Sequence, residues 1–292
     1  MTDTAGKTTA PSVLPHDVPH VYDRRRLTYS DTFDSPFKRT LIQAIEWMTG
    51  KARIIRMIRK FERMGKFHGQ DFWRGALGVM DIDLQTPQHQ LNNIPKTGPT
   101  ILVANHPHGL VDGMILADLI GRVRTDYRIL TRSFLTGIDQ DAANFMIPVP
   151  FPHEEGAQKK MVEMRRLAME HLSNGGLIAL FPSGVVASSE TLFGPAIEAE
   201  WNVFTAKMIR TSGAKVVPCY FPGSNSRWYL MANRISATLR QSLLLHEIVK
   251  ACGRPQKPVV APTLNDAEVK ERLKDPRAFM AWLRNLTLGL RD

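Results

Sequence analysis

Four short apolar runs, TILVAN, YRILTRS, LIALFP and KVVPCYFP, recur along the middle of the chain, each separated from the next by at least one stretch of helical length. This alternation constrains the fold more than any other feature. Runs that are apolar on successive residues suit strands covered on both faces, and strands spaced by helices suit parallel pairing through crossovers. The expectation is an α/β fold: a largely parallel mixed sheet flanked by helices. The supporting helices read as MILADLIGRV, residues 156 to 173 ending at Asn174-Gly175-Gly176, and AEWNVFTAKMIRTSG with its glycine stop. MIPVPF reads as a further short extended piece and GVMDIDLQ as a possible strand, while the chain from about residue 235 reads as helical with a proline-rich break at 254 to 262.

Three units follow. Residues 1–25, rich in Thr, Pro and small side chains, read as a disordered tail; 26–75 as a basic amphipathic helical segment; and 76–292 as the α/β domain with a helical C-terminal part. In the second unit Ile54, Met57, Ile58, Phe61 and Met64 recur at helical spacing, and Gly50 divides the helical stretch in two. Lys51, Arg53, Arg56, Arg59, Lys60, Arg63 and Lys66 surround the stripe, against the single acid Glu62. Such a helix can lie in the interface of an anionic bilayer or pack its stripe on the protein's own core. The excess of cations favours the bilayer, with Arg53, Arg56, Lys60 and Arg63 toward anionic headgroups.

The net charge of +10 calls for an anionic partner. No zinc finger, aromatic RNA-binding pattern or helix-turn-helix is apparent, so nucleic acid is not expected. No apolar run approaches the ~20 residues that span a bilayer, and the first twenty residues have no apolar core of the signal-peptide kind. Two cysteines, Cys219 and Cys252, make neither a disulfide framework nor a clustered zinc site. The expected setting is the cytoplasm, peripheral on the inner face of the membrane.

In parallel sheets sites form from the loops at the strands' carboxyl ends, here NHPHGLVDG, FPSGVVASS and YFPGSNS. Histidine takes up a proton near neutral pH, and a carboxylate beside it fixes the tautomer. Asp112 can serve His108, four residues away on a helical face, or His106, six residues away, if the chain bends at Gly109. A metal site of the binuclear hydrolase kind would want an acid and a further histidine where Leu110 and Val111 stand, and no metal is expected. No Gly-x-Ser-x-Gly elbow presents a serine nucleophile, and no nucleotide-binding glycine fingerprint is present.

Taken in order, the three loops resemble the glycerolipid acyltransferases related to 1-acylglycerol-3-phosphate acyltransferase. ANHPHGLVDG is similar to the first motif of the hemolysin-like and ornithine-lipid-type branch, which has five residues between its histidine and aspartate; LFPSGVVASS is similar to the Phe-Pro-Glu-Gly block, and VVPCYFPGSNS to the later Gly-x-Asn-Ser block. The resemblance covers roughly residues 30 to 230. It implies His106 as general base and Asp112 as its orienting partner, with Asn105, His108, Gly109, Phe181, Pro182, Ser183, Gly184, Gly223 and Asn225 lining the substrate. It also implies a fatty acyl group moving from acyl-CoA or acyl-carrier protein, as co-substrate, to a hydroxyl or amine of a lysolipid-like acceptor, without a further cofactor. Three departures stand out. Ser183 replaces the block's glutamate and Val185 the acid of the hemolysin-like branch, and the arginine that often follows is absent. These losses favour an alternative, a non-catalytic lipid- or carrier-binding protein on the same scaffold; the retained His106 and Asp112 disfavour it.

Overall fold

The computed structural model describes residue 28 and residues 35–132, 140–151 and 154–291. The expected tail at 1–25 lies outside the described residues. Six strands form one sheet: β1 (Thr100–Ala104), β2 (Tyr127–Arg132), β3 (Met146–Val149), β4 (Leu177–Leu180), β5 (Lys215–Tyr220) and β6 (Val259–Val260). Their order is β3-β2-β4-β1-β5-β6, parallel throughout except for β6, which runs antiparallel to β5.

Both faces of the sheet are covered, which explains the continuous apolar runs. Successive residues of β1 alternate between two cores. Leu102 and Ala104 point to one that includes Ile115, Leu119 and Trp73; Ile101 and Val103 point to the other, with Met164, Met208 and Phe279. The first core is closed by the helices Asp71–Val79 and Leu110–Gly121, the second by Ala157–Ser173, Val203–Ser212 and Pro276–Leu288.

Two expectations are corrected. GVMDIDLQ forms no strand. Leu77 and Val79 belong to the buried face of the helix Asp71–Val79, Asp81 takes a left-handed turn (φ 55°), and only Leu84 bridges, to Gln256. The alternation of Met80, Ile82 and Leu84 is real and sends all three into the core, without a strand beside them to pair with. The proline-rich break at 254–262, in turn, contains β6.

The basic segment is helical in two pieces, Pro36–Glu46 and Ala52–Arg63, joined by a π-helical turn at Trp47–Lys51 whose only non-helical residue is Gly50. A Cβ on Gly50 would lie 2.8 Å from Val249 Cγ2, so glycine here permits close approach to the helix Leu244–Ala251. The stripe packs inward: Ile54 and Phe61 are buried, Met57 packs against the first core, and its sulfur lies 3.7 Å from the Cys252 Sγ. The apolar stripe of Ala52–Arg63 is therefore spent on the protein's own core and not on a bilayer. Arg53, Arg56, Arg59, Lys60 and Arg63 remain exposed, whereas Lys51 is buried 3.4 Å from Glu46. Large apolar side chains are exposed nearby at Phe37, Leu41, Trp47 and Met48, just upstream, and at Met64, the last residue of the stripe; Phe193, Trp228 and Ile235 are among those exposed elsewhere. No helix among the described residues is long and apolar enough to cross a membrane.

Candidate active site

β1 lies at the middle of the parallel sheet between β4 and β5, so the loops that follow these three strands meet at one edge. Asn105 fastens that edge. Its Nδ2 donates to the Phe221 carbonyl (2.9 Å) and its Oδ1 accepts the Phe221 N–H (2.6 Å), tying the end of β1 to the residue after β5. Asn105 is buried and both polar atoms of its amide are bonded to Phe221, so in this structure it braces the site. Asn105→Ala leaves a buried N–H and C=O without partners, each costing about 1–3 kcal/mol. The expected loss in urea unfolding is about 2–4 kcal/mol.

The chain then bends. Gly109 takes φ 83°, a conformation open to glycine, and the helix Leu110–Gly121 starts at once with Asp112 in its first turn. Asp112 is fully buried and accepts four hydrogen bonds. His106 Nδ1 lies 3.0 Å from its Oδ2 and His108 Nδ1 2.9 Å from its Oδ1, while the backbone N–H groups of His108 (2.7 Å) and Gly109 (3.1 Å) donate to Oδ2. Burial pushes the Asp112 carboxyl upward, but the neighbouring His108 charge and the hydrogen bonds from His106 and His108 outweigh it and hold the group at about 2. Both pairings that the sequence allowed are thus present together on one carboxylate.

With Nδ1–H of each ring donating to Asp112, each Nε2 carries a lone pair and can accept a proton. The two rings differ in setting. The His106 ring stacks on Phe181 at 4.0 Å and 18°, while the backbone N–H of His106 donates to Glu198 Oε2 (3.0 Å) and its backbone carbonyl accepts the Ala187 N–H (2.8 Å). The His108 ring instead faces Gly223, where an added Cβ would lie 2.9 Å from Nε2, and it forms a wall of a cavity with Asn225. Among the described residues no cluster of three or more metal-ligating side chains is found.

The block after β4 divides its tasks. Phe181 carries the stack, and the Pro182 carbonyl accepts from Asn202 N–H (3.0 Å). Ser183 Oγ turns back to the Val185 carbonyl (2.9 Å), and the Gly184 carbonyl accepts from Arg132 Nη2 (3.1 Å) at the end of β2. Ser183 thus offers no carboxylate and directs its hydroxyl to its own loop. Glu198 gave no signal in the sequence. It is buried, bonded to His106 and to Trp201 Nε1 (3.0 Å), and lies 92 residues from the histidine it positions.

A buried carboxylate bonded to two histidines at the carboxyl end of a central parallel strand of an α/β sheet is an arrangement that can perform general-base chemistry. Residues 77–252, more than half of the chain, match the family described as Acyltransferase, and the chain belongs to that family. Among curated proteins it is similar to the lyso-glycine lipid O-acyltransferase of Phocaeicola vulgatus, with 30% identity over 172 residues covering 56% of each chain. It is also similar to the protein of the same description from Bacteroides thetaiotaomicron, with 26% identity over 168 residues, 56% of this chain and 58% of that one. The matches thus span little more than half the length of these relatives. The solved 1-acyl-sn-glycerophosphate acyltransferase PlsC of Thermotoga maritima aligns over 92% of this chain and 88% of its own at 14% identity, with a TM-score of 0.44.

Proposed function

We propose that this protein is an acyltransferase that moves a fatty acyl group from a thioester, acyl-CoA or acyl-carrier protein, to a hydroxyl or amine of a lysolipid-like acceptor at a membrane surface. The observation that carries the reading is the His106–Asp112 pair, 3.0 Å apart, inside a chain of the acyltransferase family. The lyso-glycine lipid acyltransferases among its relatives support a lysolipid as acceptor.

In this reading His106 Nε2 takes the proton from the acceptor as its oxygen or nitrogen attacks the thioester carbonyl. The tetrahedral intermediate collapses with cleavage of the carbon–sulfur bond. The imidazolium then returns the proton to the departing sulfur, giving ester or amide and free thiol. Asp112 keeps Nδ1–H pointed at itself, which leaves Nε2 basic, and it stabilises the imidazolium. No metal or redox step enters. A second reading, His108 as base, has its own observation: that ring, and not the ring of His106, forms a wall of the cavity.

The test is thiol release from long-chain acyl-CoA and acyl-carrier-protein donors with and without lysolipids. Acceptor-dependent release supports the reading. Lipid or carrier bound without release in any combination points to the non-catalytic binder.

For the membrane, the exposed cations Arg53, Arg56, Lys60 and Arg63 and the exposed Phe37, Trp47 and Met48 support peripheral attachment to anionic lipid. Each cation near such a surface contributes about 1 kcal/mol. Changing all four cations to glutamine is expected to weaken co-sedimentation with anionic vesicles by tenfold or more at low salt. Unchanged binding would remove this helix from the membrane contact.

A further inference from the structure

We infer that the cavity beside His108 receives the anionic head group of the lipid acceptor. The inference rests on the acyltransferase reading above. The cavity, about 320 Å³, lies between the loop after β5 and the end of the helix Leu244–Ala251 with the residues that follow it. His108 and Gly223 form one side, and Lys250, Arg254 and Lys257 are contributed by the other.

The charge balance of this cavity is positive. Among the described residues that line it, the one carboxylate is Glu247, which is buried and drawn toward Ser226, accepting both that residue's N–H (2.8 Å) and its hydroxyl. Lys250 stands 4.0 Å from Glu247, at the limit of an ion pair, while Arg254 and Lys257 make no ion pair among the described residues. Three cations against one carboxylate, already engaged, leave an uncompensated surplus.

A second observation is independent of charge. Asn225 lines the same cavity, is buried, and its Nδ2 has no hydrogen-bond partner among the described residues. Buried amide donors are seldom left unused. A donor and three cations converging on one cavity match the needs of an oxyanion, carboxylate or phosphate.

The position decides which substrate brings that anion. His108 is held to the same carboxylate as His106, so the cavity adjoins the place where the acceptor's nucleophile must lie. In a lysolipid the reacting hydroxyl and the charged head are close together. In a thioester donor the phosphates of CoA, or of a carrier's prosthetic group, are separated from the reacting carbonyl by the pantetheine arm. The geometry therefore points to the acceptor.

The experiment uses the full chain and its triple variant Lys250→Gln/Arg254→Gln/Lys257→Gln. The acceptors share one acyl chain and hydroxyl but end in a carboxylate, a phosphate or an uncharged amide. The wild type is expected to favour the anionic acceptors over the neutral one. In the variant their KM rises tenfold or more, the preference over the neutral acceptor collapses, and the KM of the thioester donor stays as it was. The larger of the two anionic effects identifies the head as carboxylate or phosphate. A rise in donor KM instead would assign the cavity to the donor's phosphates and overturn the proposal, as would an unaltered KM for every acceptor. Direct titration of the same anionic lysolipids below their micellar concentration separates this from the activity itself. If the wild type turns nothing over but binds them, and the variant binds tenfold or more weakly, the cavity stands and the catalytic reading falls. Equal binding by both proteins sinks the cavity alone.

Discussion

Asp112→Asn lowers thiol release by about 10⁴-fold, the loss seen when a carboxylate that orients a catalytic histidine becomes an amide. The reason is geometric. Asp112 accepts from two imidazole Nδ1 atoms and from two backbone N–H groups. An asparagine keeps one acceptor oxygen and turns an NH₂ toward donors. Whichever way the amide faces, at least one histidine must flip its tautomer or lose its partner, and a His106 with the proton on Nε2 cannot act as base. The same substitution alters stability in a pH-dependent way. The Asp112 carboxyl sits at about 2 in the folded protein against an ordinary value of 3.8. Between those values the unfolded chain binds the proton that the folded chain refuses, so this contribution is complete above about pH 4 and is lost as the pH falls toward 2. Its size is about 2 kcal/mol, at 1.36 kcal/mol per unit. Chemical denaturation at a series of pH values should show that component in the wild type and its absence in Asp112→Asn. An asparagine variant of near-normal turnover would remove Asp112 from the mechanism.

Why some of this could be read in the sequence and some could not has a physical basis. β1, β2, β4 and β5 were legible because strands buried on two faces leave unbroken apolar runs, and the turn at Gly109 because its φ of 83° suits glycine. GVMDIDLQ misled because alternation records burial, and Met80, Ile82 and Leu84 are buried without a strand to pair with. β6 is two residues long, too short to carry a pattern. The stripe Ile54, Met57 and Phe61 looks the same whether it meets a bilayer or a core; only the packing against Cys252 and the first core decides.

Within the site, both histidine pairings with Asp112 were visible because they are local. Glu198, which receives the His106 N–H, and the cations at 250, 254 and 257, which reach the cavity of His108, were not, because tertiary folding alone brings them there. Asn105 sits where the resemblance places it, yet its side chain is committed to Phe221. A motif residue can thus owe its place to bracing and not to substrate.

His106→Ala is expected to reduce acceptor-dependent thiol release by about 10³-fold, within the 10²–10⁴ that a positioned general base contributes. His108→Ala should act mainly on acceptor KM. The two rings share Asp112, so the distinction comes from what surrounds them. His106 is held on three sides: the Phe181 ring at 4.0 Å, Glu198 on its N–H and Ala187 on its carbonyl. A base that must meet a tetrahedral centre benefits from such fixation, since small displacements of a catalytic group cost large factors in rate. Of these three kinds of constraint His108 has one, its backbone N–H. Its N–H and Nδ1 both go to Asp112, and its far edge looks across Gly223 into the cationic cavity. Removing His108 therefore strips one hydrogen bond from the Asp112 side chain and one wall from the acceptor's seat, but leaves the His106–Asp112 contact in place. Initial rates over a range of acceptor concentrations separate the two roles. Loss of kcat in His106→Ala with a KM effect in His108→Ala fits the assignment; the reverse pattern keeps the enzyme and transfers the base to His108. Equal collapse of kcat in both would mean that the two imidazoles and Asp112 act as one unit, with neither ring able to stand in for the other.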